Sequence, residues 1–156
     1  MRQKRLLIAT DGSPPSAAAV EAGVELAAEM HASVLFVHAT SPLAEDLYAA
    51  YPEEGPPLDE ILARDAVLAA AVGQAEKRGV DSDVRLVAEE GGSAELAAEV
   101  SGIAAGLDAS MIVTGSRGRG AVAGAVLGSV SHNLIKYATV PVLVVHGPAD
   151  DEPGGK

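Results

Sequence analysis

Glycine, serine and arginine gather in residues 113–145, VTGSRGRGAVAGAVLGSVSHNLIKYATVPVLVV. Gly115, Gly118 and Gly120 leave backbone N–H groups uncovered and permit positive φ. Gly128 offers a further bare approach, and Ser129 and Ser131 add hydroxyl donors. Such a surface holds phosphate oxygens through N–H and O–H groups. Between Asp108 and His146 that single acid, Asp108, stands against Arg117, Arg119 and Lys136, a local charge of +2. The whole chain carries −11, so everything else carries −13. The positive loop is a local feature of an acidic chain.

Two familiar phosphate signatures do not account for it. No G-x-x-x-x-G-K-S/T run is present, so this is not a P-loop. Residues 118–123, GRGAVA, fit G-x-G-x-x-A by count, but the acid expected after the next strand is missing. That strand ends at His146, and the next acid is Asp150. Elsewhere, Thr10 and Asp11 follow the first apolar run, and His38, Ala39 and Thr40 follow the second. An ionised Asp11 cannot donate to phosphate. It can accept from ribose hydroxyls or hold a divalent cation on phosphates. His38 reads as a packed or hydrogen-bonded histidine, and His132 has no evident partner.

The elements that position these residues alternate. Residues 4–12, KRLLIATDG, read as a strand ending in turn residues. A helix follows, with Ser13 as N-cap and Pro14 and Pro15 in its first turn. Ala17, Val20, Val24 and Ala27 share one helical face, and Glu21, Glu25 and Glu29 line a solvated one. Residues 32–40 form the second strand. Residues 41–57 show no clear period and read as a long loop, either a lid or a mobile segment. Residues 58–78 read as one helix, with Ile61, Leu68, Val72 and Ala75 on one side. Residues 82–90 alternate and suit an edge strand. A helix capped by Ser93 and ended by Gly106 follows, with Leu96, Val100 and Ile103 on a shared face. Residues 109–115 form an apolar central strand, residues 124–138 a helix, and residues 140–146 the last strand. Residues 148–156 are polar, rich in Pro and Gly, and expected to be disordered.

Strict strand–helix alternation implies an α/β fold: one parallel five-stranded sheet with helices on both faces. Residues 1–147 form the single expected domain. Ligands of such sheets bind outside the carboxyl ends of the strands, where the strand order reverses. Thr10–Asp11, His38–Thr40 and the glycine loop converge there only if the first strand neighbours both the second and the fourth.

With 156 residues the chain can bury a core without staples. Aromatics make up 3%, so that core must be Ala, Val, Leu and Ile, which suits a parallel sheet under closely packed helices. The acidic balance disfavours nucleic acid and anionic membranes as partners. Cysteine is absent, which excludes disulfides and thiolate metal sites. The N-terminal apolar run is too short for a signal peptide, and no apolar run is long enough for a span. A cytoplasmic location is expected.

Gly115 and Gly118, separated by two residues, then nine residues, then Gly128 and Ser129, give G-2x-G-9x-G-S. With ATDGS after the first strand, VLFVHA in the second and SVSHNLIKYATVPVLVV at the end, this resembles the universal stress protein family, in its ATP-binding branch. The resemblance runs from Arg5 to Val145. It implies strand order 3-2-1-4-5 and an ATP site with Mg²⁺ or Mn²⁺. The residues matching that site are Ala9, Thr10, Asp11, Ala39, Gly115, Ser116, Arg117, Gly118, Gly128, Ser129, Val130 and Ser131. Asp11 matches the acid near ribose and metal, and Ala39 matches the position contacting adenine, where a larger apolar residue is common. The family commonly dimerises through the fifth strand, and residues 140–146 would otherwise be a long apolar edge. The implied function is a nucleotide-dependent switch that an unidentified protein partner reads. A nucleotide-free interaction module and a slow ATP hydrolase are the alternatives. No general base or P-loop lysine supports fast turnover.

Overall fold

The computed structural model describes residues 2–117 and 127–147. Five strands are laid down in chain order: β1 (Arg5–Ala9), β2 (Ser33–Ala39), β3 (Ser82–Val87), β4 (Met111–Gly115) and β5 (Val142–Val145). They form one sheet, β3-β2-β1-β4-β5, and every neighbouring pair is parallel. The helices between them are α1 (Pro14–Met30), α2 (Leu43–Ala50), α3 (Leu58–Arg64), α4 (Ala66–Lys77), α5 (Gly92–Gly106) and α6 (Ser129–Tyr137). Among the described residues no helix is long and apolar enough to cross a membrane.

The interior strands are continuous apolar runs because both their faces are covered. Leu6, Ile8, Val34, Phe36, Val84 and Leu86 face one layer, built from α1, α3 and α4 with Leu47 of α2. Leu7, Leu35, Val37, Val87 and Ile112 face the other, built from Ala97, Val100 and Ala104 of α5 and Leu134 of α6. Small residues let the helices approach the sheet. At Gly23 of α1 an added Cβ would lie 2.5 Å from Ile8 Cδ1.

Several boundaries differ from those read in the sequence. Residues 41–57 are not one structureless loop, for α2 lies within them and buries Ala44 and Leu47. The helix expected over 58–78 is two helices, since Asp65 between them is extended (φ −124, ψ 100). The fifth helix starts at Gly92, with Gly91 in the left-handed region (φ 77) as its cap rather than Ser93. The last helix starts at Ser129, because Gly128 is extended (φ −71, ψ 164). Of its expected start, residues 124–126 lie outside the described residues. On α1 the buried stripe is Ser16, Ala19, Val20, Gly23, Val24 and Ala27, and Ala17 is exposed. Glu21, Glu25 and Glu29 are exposed, as a solvated face requires. The expected tail, residues 148–156, lies outside the described residues.

Candidate functional site

β1 pairs with β2 on one side and β4 on the other. The α1 crossover packs on one face of the sheet, and α6, between β4 and β5, packs on the opposite face. The chains leaving β1 and β4 therefore diverge, and a crevice opens at their carboxyl ends.

Beyond β1 the chain turns at Thr10 and Asp11 to enter α1. Thr10 N–H continues the sheet by donating to Val37 O at 2.9 Å. Its buried hydroxyl lies 2.5 Å from Ser16 Oγ. Ser16 Oγ also accepts Asp11 N–H at 2.9 Å. One oxygen of the half-buried Asp11 carboxylate accepts Ser13 N–H at 2.9 Å, which fixes the turn. Ser13 Oγ, at the start of α1, is buried with no hydrogen-bond partner among the described residues.

The chain leaving β4 is pressed against the same helix start. At Gly115 an added Cβ would lie 2.8 Å from both the carbonyl carbon and oxygen of Pro15, and 2.9 Å from Ser16 N. Backbone meets backbone there, and only glycine fits. Ser116 N–H donates to Val145 O at 2.8 Å, and Gly128 N–H donates to Ser116 O at 2.7 Å. The two ends of the glycine loop are thus clamped together across twelve positions of sequence. The buried Ser131 hydroxyl donates to Gly115 O, tying α6 to the end of β4. That proton holds the loop's frame and is not offered to a ligand. Ser129 is exposed in the first turn of α6, which carries no acid, and Asn133 Nδ2 donates to its carbonyl at 2.8 Å.

The structure therefore gathers Ala9, Thr10, Asp11, Gly115, Ser116, Arg117, Gly128, Ser129, Val130 and Ser131 around the ends of β1 and β4. Gly118 lies outside the described residues. Ala39 ends the neighbouring strand, half-buried and in register with Val87. Beside it, His38 Nδ1 pairs with Asp65 Oδ2 at 2.7 Å, so His38 is a hydrogen-bonded histidine. Among the described residues no three His, Asp or Glu side chains form a metal cluster. Tyr51 lies on the excursion between β2 and β3. The Tyr51 phenol donates to Glu60, and that bond, with burial and the negative charges of Glu60 and Asp59, raises it above 10.0.

Ser16 and Asp65 were not singled out in the sequence, and Pro15 was read only as a first-turn proline. Ser16 reads as an ordinary first-turn residue, and its spacing of three from Ser13 is the only signal.

The family model of the Universal stress protein family matches residues 3–146. Universal stress protein YxiE of Bacillus subtilis is 33% identical over 153 residues, covering 90% of this chain and 97% of that protein. A universal stress protein of Mycolicibacterium smegmatis is 31% identical over 159 residues, and the chain spans 49% of its length. Among solved structures, a universal stress family protein from Burkholderia pseudomallei is 30% identical with a TM-score of 0.60, covering 91% of this chain and 95% of that one. A universal stress protein in complex with cAMP is 26% identical with a TM-score of 0.64, covering 94% and 98%.

Proposed function

The chain belongs to the universal stress protein family, and from that premise we propose that it binds an adenine nucleotide, ATP, and acts as a nucleotide-dependent switch. The observation that carries this reading is the clamped loop. Gly128 N–H on Ser116 O closes the loop at its base, one residue after Gly115, which meets the start of α1. The N-terminus of α6 and the unpartnered Ser13 hydroxyl both lie at this end of the sheet. Both supply donors to anionic oxygens. The relative solved with cAMP supports adenine as the base.

In this reading Gly115, Ser116, Gly118, Gly128, Ser129 and Val130 surround the phosphates, and Arg117 adds positive charge. Thr10, Ala9 and Ala39 line the base and sugar side, and Asp11 accepts from ribose. A divalent cation, Mg²⁺ or Mn²⁺, would arrive on the phosphates with Asp11 as its protein carboxylate. One carboxylate fits a cation shared with a nucleotide rather than a protein-built cage. ATP bound to the native state also stabilises it by mass action.

We further propose that two copies pair through β5. Leu143 of β5 is 37% exposed, and Ile135 and Tyr137 of the adjoining α6 are 52% and 46% exposed, a large apolar share for one sheet edge.

The direct test is to purify the protein without added nucleotide, denature it and identify the released small molecules by mass spectrometry, then titrate emptied protein with ATP and Mg²⁺. Near-stoichiometric ATP, or saturable binding abolished by Gly128→Val with the dimer retained, is the expected result. No release and no binding would leave a nucleotide-free interaction module. Steady phosphate release lost in Asp11→Ala would instead indicate a hydrolase.

A further inference from the structure

His38 has two ring nitrogens, and the protein takes one of them. Nδ1 lies 2.7 Å from Oδ2 of the buried Asp65. The carboxylate accepts there, so Nδ1 carries the hydrogen of a neutral ring and Nε2 carries a lone pair. Asp65 is itself held, because Oδ1 accepts Leu68 N–H at 2.9 Å in the first turn of α4. The tautomer of His38 is therefore set by a carboxylate that the fold keeps in place.

Nε2 is not a buried orphan. Among the described residues, the buried side-chain nitrogen and oxygen atoms without a partner are Ser13 Oγ and Ser101 Oγ. Nε2, whose ring is bonded only through Nδ1, is open to solvent. It is a fixed hydrogen-bond acceptor that nothing among those residues uses.

Its place in the fold says which ligand group it would meet. Leu6 and Ile8 of β1 and Val34 and Phe36 of β2 share one face of the sheet. Side chains alternate along a strand, so Thr10 and His38 continue that face. Thr10 N–H on Val37 O carries the Ala9–Val37 register one step further, which makes Thr10 and His38 neighbours across the strands. His38 thus stands beside Thr10 and directly before Ala39, on the base and sugar side of the crevice. The ribose is assigned to Asp11, which leaves the base for His38.

We infer that His38 is a specificity-determining residue: Nε2 accepts a hydrogen bond from the 6-amino group of adenine, and Asp65 keeps that nitrogen an acceptor. The inference rests on the nucleotide-binding reading above and deepens it. A purine with a 6-oxo group sets an acceptor against an acceptor. A site built around a hydrogen bond rejects the analogue that cannot make it, because its polar groups are left unpaired.

The test compares ATP with ITP, whose base has a 6-oxo group and an N1 hydrogen in place of the 6-amino group. Each is titrated calorimetrically into emptied protein. The parent is expected to bind ATP at least about tenfold more tightly than ITP. His38→Leu should bring the two affinities within about threefold of each other. His38→Gln should do the same, since its amide can present either its oxygen or its NH₂ group. A histidine with a merely structural role would weaken both nucleotides together and leave their ratio unchanged. Nitrogen NMR of the labelled parent gives a check that needs no variant: His38 should show the Nδ1–H tautomer, and its Nε2 resonance should shift on adding ATP. Equal affinity of the parent for ATP and ITP, a ratio that survives in both variants, or an Nε2–H tautomer would overturn this inference and leave nucleotide binding intact. Binding of neither nucleotide would overturn both.

Discussion

Asp65 holds two elements with one carboxylate: Oδ2 lies 2.7 Å from His38 Nδ1, and Oδ1 accepts Leu68 N–H at 2.9 Å. The His38 and Asp65 side chains are only 12% and 3% exposed. An ionised carboxylate only accepts, so Nδ1 carries the hydrogen. The seam between α3 and α4 is thereby tied to the carboxyl end of β2, one residue before Ala39. The excursion between β2 and β3 is anchored to the strand that ends at the proposed adenine position.

Removing that carboxylate should be costly. Asp65→Ala deletes the cap of α4, worth about 1 kcal/mol. It also strands a buried histidine donor, worth about 1–3 kcal/mol. The expected loss is about 2–4 kcal/mol in urea denaturation. Asp65→Asn keeps an acceptor for one partner and should lose about half as much. An Asp65→Ala midpoint indistinguishable from the parent would show that the pair contributes nothing.

Why Asp65 escaped notice in the sequence is instructive. Ile61, Leu68, Val72 and Ala75 are all buried and remain in helical phase across the break, so the apolar stripe runs straight through it. α2 was missed for a related reason. Its eight residues bury only Ala44 and Leu47, too few to show a period. The strands were legible because buried parallel strands are apolar on both faces, and each ends in a turn residue. Their order came from the family likeness, and the structure has that order. At the site, Gly115 and Gly128 announced themselves by spacing. Ser16 did not, because its role depends on where Thr10 and Asp11 fold back, which no periodicity records.

Ser16→Ala tests that role. The hydroxyl is buried, pairs with Thr10 Oγ1 and accepts Asp11 N–H. Its loss leaves Asp11 N–H and the Thr10 hydroxyl short of a partner, so stability should fall by about 1–3 kcal/mol. Because the turn holding Asp11 loosens, ATP affinity should fall as well. Ser16→Thr, which keeps the hydroxyl, should recover part of both. Thermal melts with and without ATP separate the two effects. An Ser16→Ala protein with parent stability would mean the turn is held by Asp11 and Ser13 alone.

Gly115→Ala asks whether the contact between β4 and α1 is as tight as its geometry. The new methyl group would meet the Pro15 carbonyl and Ser16 N, all backbone atoms that cannot rotate away. Overpacking of this kind costs about 1–3 kcal/mol, and the backbone must shift to relieve it. The shift would fall on the base of the glycine loop, so ATP binding should weaken even where the protein stays folded. Gly73→Ala is the control, since an added Cβ there meets nothing within 4 Å. It should be neutral or mildly stabilising within a helix. Equal stability of the two variants would contradict the close approach at Gly115.

The dimer proposal can be tested with a substitution that spares the fold. Ile112 N–H donates to Pro141 O and Ser116 N–H to Val145 O, so Pro141, Leu143 and Val145 turn their backbone toward β4. Val142 and Val144 turn theirs outward. Proline is tolerated on an edge strand where the missing N–H would have faced outward. Val144→Pro should therefore keep the monomer fold, with a circular dichroism spectrum like the parent's, while deleting a donor that pairing through β5 needs. Leu143→Lys should act similarly by placing a charge on the apolar edge. The parent is expected to behave as a dimer in light scattering at micromolar concentration, and both variants as monomers. A Val144→Pro protein that stays dimeric would move the interface from the β5 backbone to the neighbouring surface of Ile135 and Tyr137.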